Sequence, residues 1–251
     1  MKIIRTRKEW NAESALRGQK TTGLVPTMGA LHEGHLSLVN KSKADNERTI
    51  VSIYLNPTQF NNPGDLETYP RTFEQDCALL EKAGADYLFA PDYTEMYPDG
   101  FTYFLSETTV SKNLCGGARL GHFEGVLTVV LKLLNAIKPN RAYFGEKDYQ
   151  QYLLVKGMAE AFFLPVEIVP CPLIREESGL ALSSRNRRLS PDALGKAPSF
   201  YRALSSGKSA GEIRVLLEEE GLKVDYVEER YGRLFGAVYL EDVRLIDNVK
   251  R

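Results

Sequence analysis

The feature that most constrains this fold is a stretch in which an apolar strand pattern changes into a helical one. Residues 22–26 form the strand pattern, which Pro26 and Gly29 then interrupt, because proline lacks an N–H and glycine tolerates positive φ. After Gly34 the apolar residues recur at helical spacing as far as Ala44. The stretch therefore predicts a strand, a tight loop and a helix in direct succession.

Two of the three histidines, His32 and His35, lie three residues apart where this helix begins. They share one face if the first helical turn extends back to them. A helix N-terminus carries unpaired N–H groups and partial positive charge, which suit a phosphate, and two imidazoles add directional donors. The positive potential is expected to favour neutral imidazoles. An H-x-G-H tetrapeptide alone is a weak signal, and its place after the strand break strengthens it.

The alternation of strand and helix patterns continues along the chain. Strands are predicted at residues 3–4, 22–26, 48–56, 86–91, 101–105, 141–144 and 165–170. Further helices are predicted at residues 6–17 with Trp10 on the inner face, 72–83, 123–137 and 148–162. Such alternation predicts an α/β fold with a doubly wound parallel sheet. Right-handed crossovers then bring the strand-to-helix loops, and the ligand, to one sheet edge.

Other segments have turn or loop character. Residues 61–71 and 92–100 are predicted as loops, and the glycine-rich basic segment 112–121 as a mobile loop. Residues 72–75 match the capping-box pattern at a helix start.

The composition changes after residue 174. Residues 175–188 are polar and basic, a helix is predicted at 209–220, and an antiparallel pair of strands at 224–229 and 237–245. We therefore predict two domains, a larger α/β domain that binds the ligand at residues 1–174 and a small α+β domain at residues 175–251. The second is expected to cover the mouth of the first as a lid.

Composition excludes several classes of partner. The 32 basic and 33 acidic residues nearly cancel, so no nucleic acid partner is expected. The most apolar run, residues 126–137, is interrupted by polar side chains, and the N-terminus lacks an apolar signal segment, so no membrane partner is expected. Three scattered cysteines without a C-x-x-C pair indicate reduced thiols in the cytoplasm.

Five segments stand in a fixed order along the chain, at residues 26–35, 56–60, 69–72, 144–151 and 182–186. Together they resemble the pantoate–β-alanine ligase family, and residues 244–248 also resemble a segment of that family. The first segment is also similar to H-x-G-H nucleotidyltransferases and class I aminoacyl-tRNA synthetases. The resemblance implies their Rossmann-like ATP-binding fold, with a small α+β C-terminal lid domain.

The resemblance also implies an activity. It is the ATP-dependent condensation of (R)-pantoate with β-alanine to pantothenate, AMP and diphosphate, through a pantoyl-adenylate. ATP, Mg²⁺ and a homodimer are implied with it. Two alternatives stay open, another H-x-G-H nucleotidyltransferase that stops at the nucleotidyl product, and a non-catalytic nucleotide sensor.

The site residues follow by resemblance. The residues expected to bind ATP are Met28, Gly29, Ala30, Leu31, His32, Glu33, Gly34, His35, Gly145, Glu146, Lys147, Asp148, Ile174, Leu182, Ser183, Ser184 and Arg185. The residues expected to hold the hydroxy acid are Asn56, Gln59 and Gln151. Where the family often has an acidic pair this chain has Gln75 and Asp76, so Asp76 is the predicted magnesium ligand.

The chemistry explains these residue types. A carboxylate is a poor electrophile, and transfer to AMP provides a leaving group. We expect His32, His35, Lys147 and Arg185 to act in catalysis by stabilising charge on the phosphates. Each well-aimed donor can contribute roughly 3–4 kcal/mol in the transition state. Neutral glutamine amides can orient a hydroxy acid without neutralising the carboxylate that must attack.

Each of these residues, taken singly, also has an ordinary explanation. Lys147 then belongs to a solvated helix end, the two glutamines to a turn and a helix surface, and residues 183–185 to a polar linker. Arg119 and His122 can reach a phosphate, while Cys115 is expected to lie in a flexible loop.

Overall fold

The computed structural model describes residues 1–15 and 20–251. Its strands are β1 (Lys2–Ile4), β2 (Thr22–Thr27), β3 (Arg48–Ile53), β4 (Tyr87–Phe89), β5 (Arg141–Gly145), β6 (Glu167–Cys171), β7 (Lys223–Arg230), β8 (Arg233–Leu240) and β9 (Val243–Lys250). Its α-helices are α1 (Arg7–Ala15), α2 (Glu33–Asp45), α3 (Pro63–Glu67), α4 (Phe73–Ala83), α5 (Tyr93–Met96), α6 (Leu114–Ala118), α7 (His122–Ile137), α8 (Tyr149–Ala161), α9 (Pro191–Lys196), α10 (Pro198–Leu204) and α11 (Ala210–Glu219). Short 3₁₀ turns cover Pro57–Gln59, Val110–Lys112, Glu146–Asp148 and Ser184–Arg188.

Within the described residues, the larger sheet has six strands in the order β1-β4-β3-β2-β5-β6, and all its pairs are parallel. The predicted doubly wound α/β sheet is thus confirmed. Neighbouring apolar residues of β2 and β3 pack on opposite faces: Leu24 and Ile50 contact the α7–α8 side, and Val25 and Val51 the α2–α4 side. Strands that are buried on both faces have continuous apolar sequences.

The strand order reverses between β2 and β5, and the sheet opens there. β2 pairs with β3 over its whole length but with β5 only at Gly23 and Leu24. Pro26 cannot donate a ladder hydrogen bond on the side where β5 diverges. The point where the strand order reverses is where open α/β sheets bind ligands.

The C-terminal part is a three-stranded antiparallel sheet, β7-β8-β9, within the described chain. Tyr226, Phe235 and Ile246 on one face pack against the core of the larger sheet. Leu234 and Val238 on the other face pack against α9–α11. β8 is therefore buried on both faces, as its apolar sequence requires.

Several predictions differ from the structure. The predicted antiparallel pair at residues 224–229 and 237–245 is confirmed for β7 with residues 237–240 of β8. Its second strand was predicted too long, because a turn at residues 241–242 places residues 243–245 in β9. Residues 101–105 form no strand, and the predicted loops at 61–71, 92–100 and 112–121 contain α3, α5 and α6.

The ends of α1 and α4 agree only in part with the predictions. Thr72 makes no side-chain cap at the start of α4, so the predicted capping box is wrong, because its hydroxyl contacts Asp76 instead. Gly84 ends α4 in a left-handed conformation as expected. Trp10 is buried on α1, whereas the predicted end of that helix lies at residues 16–18, outside the described residues.

Candidate active site

A cavity opens at the carboxyl edge of the larger sheet, where β2 and β5 separate. Its lining includes predicted site residues from five separate parts of the sequence, namely Met28, His32, Gly34, His35, Gln59, Gly145, Lys147, Asp148, Gln151, Ile174, Leu182, Ser183, Ser184 and Arg185. Residues that are far apart in the chain therefore lie around one space.

The first wall is the loop at residues 28–35, here called the histidine loop. Gly29 and Ala30 adopt positive φ values of 82° and 51°, which turn the chain sharply from β2 into α2. The Thr27 hydroxyl supports the turn, since it donates to the Ser52 carbonyl at 2.8 Å and accepts the Gly29 N–H at 3.2 Å.

The two histidines form a reciprocal cap at the start of α2. His32 Nδ1 accepts the Gly34 N–H at 3.1 Å, and His35 Nδ1 accepts the His32 N–H at 3.4 Å. Since both Nδ1 atoms accept, Nε2 of each neutral ring carries the proton. Gly34 is required here, because a Cβ would lie 2.9 Å from the His32 ring.

Both imidazoles are neutral near pH 7. Burial and then the charge of Lys147 lower the pKa of His32 to about 4. Burial, followed by the charges of His32 and Lys147, lowers the pKa of His35 to about 3. The predicted neutral forms agree with these values, but burial is the main cause rather than the helix N-terminus. The pair can donate two Nε2–H bonds without adding positive charge.

The second wall follows β5 and carries Lys147. Asn248 of β9 is buried, and its amide donates to the carbonyls of Glu146 and Lys147 at 2.9 and 3.1 Å. Its oxygen accepts from Arg233 at 2.7 Å, and Arg233 also pairs with the Glu146 carboxylate at 2.8 Å. The C-terminal sheet thus holds the backbone on both sides of Lys147.

The third wall contains Gln59, in the 3₁₀ turn after β3. Its side chain contacts Met28 Sδ at 3.1 Å and accepts from the Asn56 amide at 3.1 Å. Its carbonyl accepts from His122 Nδ1 at 2.8 Å and from Arg119 at 3.2 Å. Burial lowers the pKa of His122 to about 3, so neutral His122 accepts from Arg119 through Nε2 at 2.9 Å.

The fourth wall is the segment at residues 182–188, here called the arginine segment. Arg185 forms a two-point ion pair with Asp65 of α3, with Nε and Nη2 at 3.3 and 2.7 Å from the two oxygens. Arg188 binds the same carboxylate at 2.7 Å. Burial would raise the pKa of Asp65, but Arg185 and Arg188 outweigh it and hold the pKa below its usual range.

Some predicted site residues do not line the cavity, namely Gly29, Ala30, Leu31, Glu33, Glu146, Asn56 and Asp76. Asn56 is 1% exposed, and its oxygen accepts from Thr58 and Tyr97. The position of Asn56 therefore favours orientation of Gln59 over direct contact with a substrate.

Asp76 is 2% exposed. Its carboxylate accepts the backbone N–H groups of Ala30 at 2.9 Å and Leu31 at 2.8 Å. Among the residues that the structure describes, no group of three or more His, Cys, Asp or Glu side chains is placed to hold a metal ion. The prediction that Asp76 binds magnesium has no support from these contacts.

Sequence reasoning missed two supports of the site. Asp65 lies in a segment predicted as a plain loop, although its place between Asn62 and Tyr69 could have suggested a short helix with an acidic first turn. Arg233 stands next to a wrongly divided strand pair, so its contact with Glu146 had no local signal.

No helix in the described part of the chain is both long and apolar enough to span a membrane.

Comparisons with known proteins agree with this geometry. The family model described as pantoate-beta-alanine ligase matches residues 2–250. The pantothenate synthetase of Bdellovibrio bacteriovorus is 51% identical over 230 residues, which cover 92% of each chain. That of Coxiella burnetii is 49% identical over 248 residues, which cover 99% of this chain and 96% of the relative.

Solved structures give the same result. The pantoate-beta-alanine ligase of Francisella tularensis, complexed with Beta-gamma ATP and beta-alanine, has a TM-score of 0.94 and 42% identity, covering 100% of this chain and 97% of that one. Pantothenate synthetase from Thermus thermophilus has a TM-score of 0.90 and 41% identity, covering 100% of this chain and 99% of that one. The chain belongs to the pantoate–β-alanine ligase family of enzymes.

Proposed function

We propose that the chain condenses pantoate with β-alanine in two steps at this cavity. A pantoate carboxylate oxygen bonds to the α-phosphorus of ATP, and diphosphate leaves. The β-alanine amine, after losing a proton to solvent or to a nearby group such as a neutral histidine, then attacks the carbonyl carbon of the pantoyl-adenylate. AMP leaves, and the new amide nitrogen releases a second proton to solvent. The observation that carries the proposal is the convergence of the histidine loop, Lys147 and two glutamines on one cavity.

The histidine pair and Lys147 serve the first step. Two Nε2–H donors can bind phosphate oxygens in the ground state and hold them as charge shifts to the diphosphate. Lys147 adds a compact positive charge. Neutral histidines suit this role because pantoate is already ionised and needs no base to remove a proton.

Gln59 and Gln151 are proposed to hold the hydroxyl and carboxylate of pantoate, and Gln59 also to face β-alanine. Within residues 1–15 and 20–251, the Gln59 side-chain amide forms hydrogen bonds with Met28 Sδ and the Asn56 amide, and a sulfur acceptor is weak enough to be exchanged for a substrate oxygen. The backbone of Gln59 is fixed by His122 and Arg119. Both substrates would then meet a positioned amide, and positioning alone can contribute on the order of 7–11 kcal/mol.

Magnesium is proposed to arrive with the phosphates of ATP, as part of the nucleotide substrate. Mg²⁺ prefers to keep several waters and is commonly bound through substrate phosphates with few protein carboxylates. The absence of a metal-binding cluster from the described residues is compatible with this mode. Omission of Mg²⁺ should then lower the turnover without changing the fold.

Residues 175–251 are proposed to act as a lid domain. The arginine segment lines the cavity, and the Ser184 hydroxyl donates to the Ala30 carbonyl of the histidine loop at 3.0 Å. A pantoyl-adenylate is sensitive to water, and a covering domain would protect it.

A burst experiment tests the two-step order. Enzyme with ATP, Mg²⁺ and pantoate, without β-alanine, should release about one diphosphate per site in a burst. Added β-alanine should then yield pantothenate and AMP, identified by mass. Diphosphate that appears only after β-alanine is added, even in a single turnover, would contradict this order. A stable adenylated product that β-alanine leaves intact would instead indicate a nucleotidyltransferase.

A homodimer is proposed from the family resemblance. Tyr103 and Phe104 are 77% and 59% exposed, and adjacent exposed aromatic side chains can mark a contact surface. Light scattering should show a dimer, and serine at both positions should shift it towards the monomer. A wild-type monomer at high concentration would refute this assignment.

A cytoplasmic location is proposed from the thiols. Cys77, Cys115 and Cys171 are all free, which suits a reducing compartment. Fractionation of the source cells should recover the protein with cytoplasmic markers, and recovery with an exported fraction would contradict the assignment.

A further inference from the structure

We infer that Asp76 is a positioning residue that holds the histidine loop in its ATP-binding conformation, and that it is not a ligand of magnesium. The inference rests on the proposed ATP site and concerns how that site is built. It follows from the contacts of one buried carboxylate.

Both carboxylate oxygens of Asp76 are already engaged. Oδ2 accepts the Ala30 N–H at 2.9 Å and Oδ1 accepts the Leu31 N–H at 2.8 Å, while the Thr72 hydroxyl lies 3.2 Å from each oxygen. Among the described residues, no lysine or arginine forms an ion pair with Asp76. The backbone N–H groups of the loop are therefore the main partners of this negative charge.

The space around the carboxylate is filled by the loop itself. A Cβ placed on Gly29 would lie 3.0 Å from Asp76 Oδ2 and 3.2 Å from Ile53. Asp76 is 2% exposed and does not line the cavity. A magnesium ion usually keeps several bound waters. The close packing of Gly29 against the Asp76 carboxylate leaves no room for them.

The loop needs such a partner because of its backbone conformation. Gly29 and Ala30 both have positive φ, and a non-glycine residue adopts this region only when its surroundings hold it there. The turn directs the Ala30 and Leu31 N–H groups away from any strand and towards Asp76. One residue later, His32 begins the cap that orients His35. The carboxylate thus fixes the turn from which both histidines are placed.

Binding of metal-free ATP separates positioning from metal ligation. We would titrate ATP into the full-length protein in EDTA, and again with Mg²⁺, by calorimetry. Asp76→Asn has the same shape, but its NH₂ group faces a backbone N–H. Loss of a charged acceptor that leaves a buried donor unpaired should weaken metal-free ATP binding about 10-fold or more. The further gain in affinity from Mg²⁺ should stay within about 2-fold of the wild type.

A magnesium ligand would behave in the opposite way. Metal-free ATP would then bind Asp76→Asn as it binds the wild type, and only the gain from Mg²⁺ would be lost; this outcome overturns the inference. Wild-type protein that makes no pantothenate but binds metal-free ATP more tightly than Asp76→Asn would reject the proposed function and keep the inference.

Two further variants protect the test from a folding defect. Thr72→Val keeps the carboxylate and removes one donor to it, at a residue that makes no helix cap, so metal-free ATP binding should weaken about 2- to 5-fold. Asp86→Asn is the control, because Asp86 accepts the Thr49 N–H at 2.8 Å at the opposite sheet edge, and its ATP affinity should equal that of the wild type. Unchanged affinity in Thr72→Val, if Asp76→Asn does not fold, would overturn the inference.

Discussion

The histidine loop and the arginine segment face each other across the cavity, but they are held in different ways. The histidine loop is fixed by backbone groups, through the Asp76 carboxylate and the reciprocal cap of His32 and His35. The arginine segment is held at its charged end by side-chain ion pairs of Arg185 and Arg188 with Asp65.

This difference bears on how each wall responds to a nucleotide. Backbone N–H groups that are satisfied by a buried carboxylate have no alternative partner, so the loop is expected to keep its shape. An ion pair between partly exposed side chains contributes little stability, so the arginine segment can shift at small cost while Asp65 keeps orienting Arg185. We therefore expect a preformed wall at the histidine loop and an adjustable wall at the arginine segment.

The largest effect should come from the fixed wall. His35→Ala should lower turnover by about 100-fold or more with the fold retained, as for loss of an oxyanion-type donor. His32→Ala should behave similarly. His35→Gln, which can place an N–H near the Nε2 position, should recover part of the loss. Steady-state kinetics check this, and near-normal turnover in His35→Ala would remove His35 from the mechanism.

A second effect at the fixed wall is the pH dependence of stability, to which His35 contributes through its lowered pKa. The pKa of His35 is about 3 in the folded protein, and that of an unfolded histidine is about 6.5. Below pH 6.5 the unfolded chain therefore binds a proton that the folded chain does not, so stability falls as the pH falls. The contribution is about 1.4 kcal/mol per pH unit for each such histidine.

Urea unfolding between pH 6 and 4.5 measures this slope. His35→Ala should reduce it by about one proton, whereas Arg185→Lys should leave it unchanged. A slope that His35→Ala does not alter would mean that His35 is protonated in the folded state.

A smaller effect is expected when the adjustable wall loses its anchor. The Asp65 contacts occupy Nε and Nη2 of Arg185 and so orient the guanidinium. Asp65→Asn should raise the KM for ATP about 5- to 10-fold with kcat changed less. Asp242→Asn is the matched control, because Asp242 is an exposed partner of Arg188 and should have no effect. A lower KM in Asp65→Asn would show that Asp65 competes with ATP for Arg185.

The smallest effect concerns proteolysis. Nucleotide binding should order the arginine segment, so trypsin cleavage after Arg185, Arg187 or Arg188 should slow about 3- to 5-fold with ATP and Mg²⁺. Cleavage after Arg230, at the exposed turn between β7 and β8, serves as the internal control. Equal slowing at both places, or none at either, would argue against local closure.

The difference between the two walls also explains which structural elements could be predicted from the sequence. Residues 22–35 have strong local signals, since apolar runs, a proline, a glycine and a helical period lie close together in sequence. β2, α2 and the histidine pair were placed correctly from them. The strands β8 and β9 have no such break, because Glu241 is a non-glycine turn residue with positive φ, and their boundary was therefore missed.

Among the site residues, side chains that face the cavity were easier to predict from the sequence than side chains that support the cavity walls. Gln59 and Lys147 stand in recognisable segments, whereas Asp65 and Arg233 act through contacts with residues 120 and 87 positions away. Asp76 was noticed as an acidic residue, yet its partners, the N–H groups of Ala30 and Leu31, have no signature in side-chain chemistry.

The sequence by itself determined the α/β class, the alternation of strands and helices that makes the sheet parallel, and the family. These properties depend on local periodicity and on ordered motifs. Only the tertiary structure decided which charges meet, which imidazole nitrogen keeps its proton and which carboxylate is already engaged. Those properties depend on burial and on distances of about 3 Å between segments far apart in the chain, and burial is also what lowers the histidine pKa values.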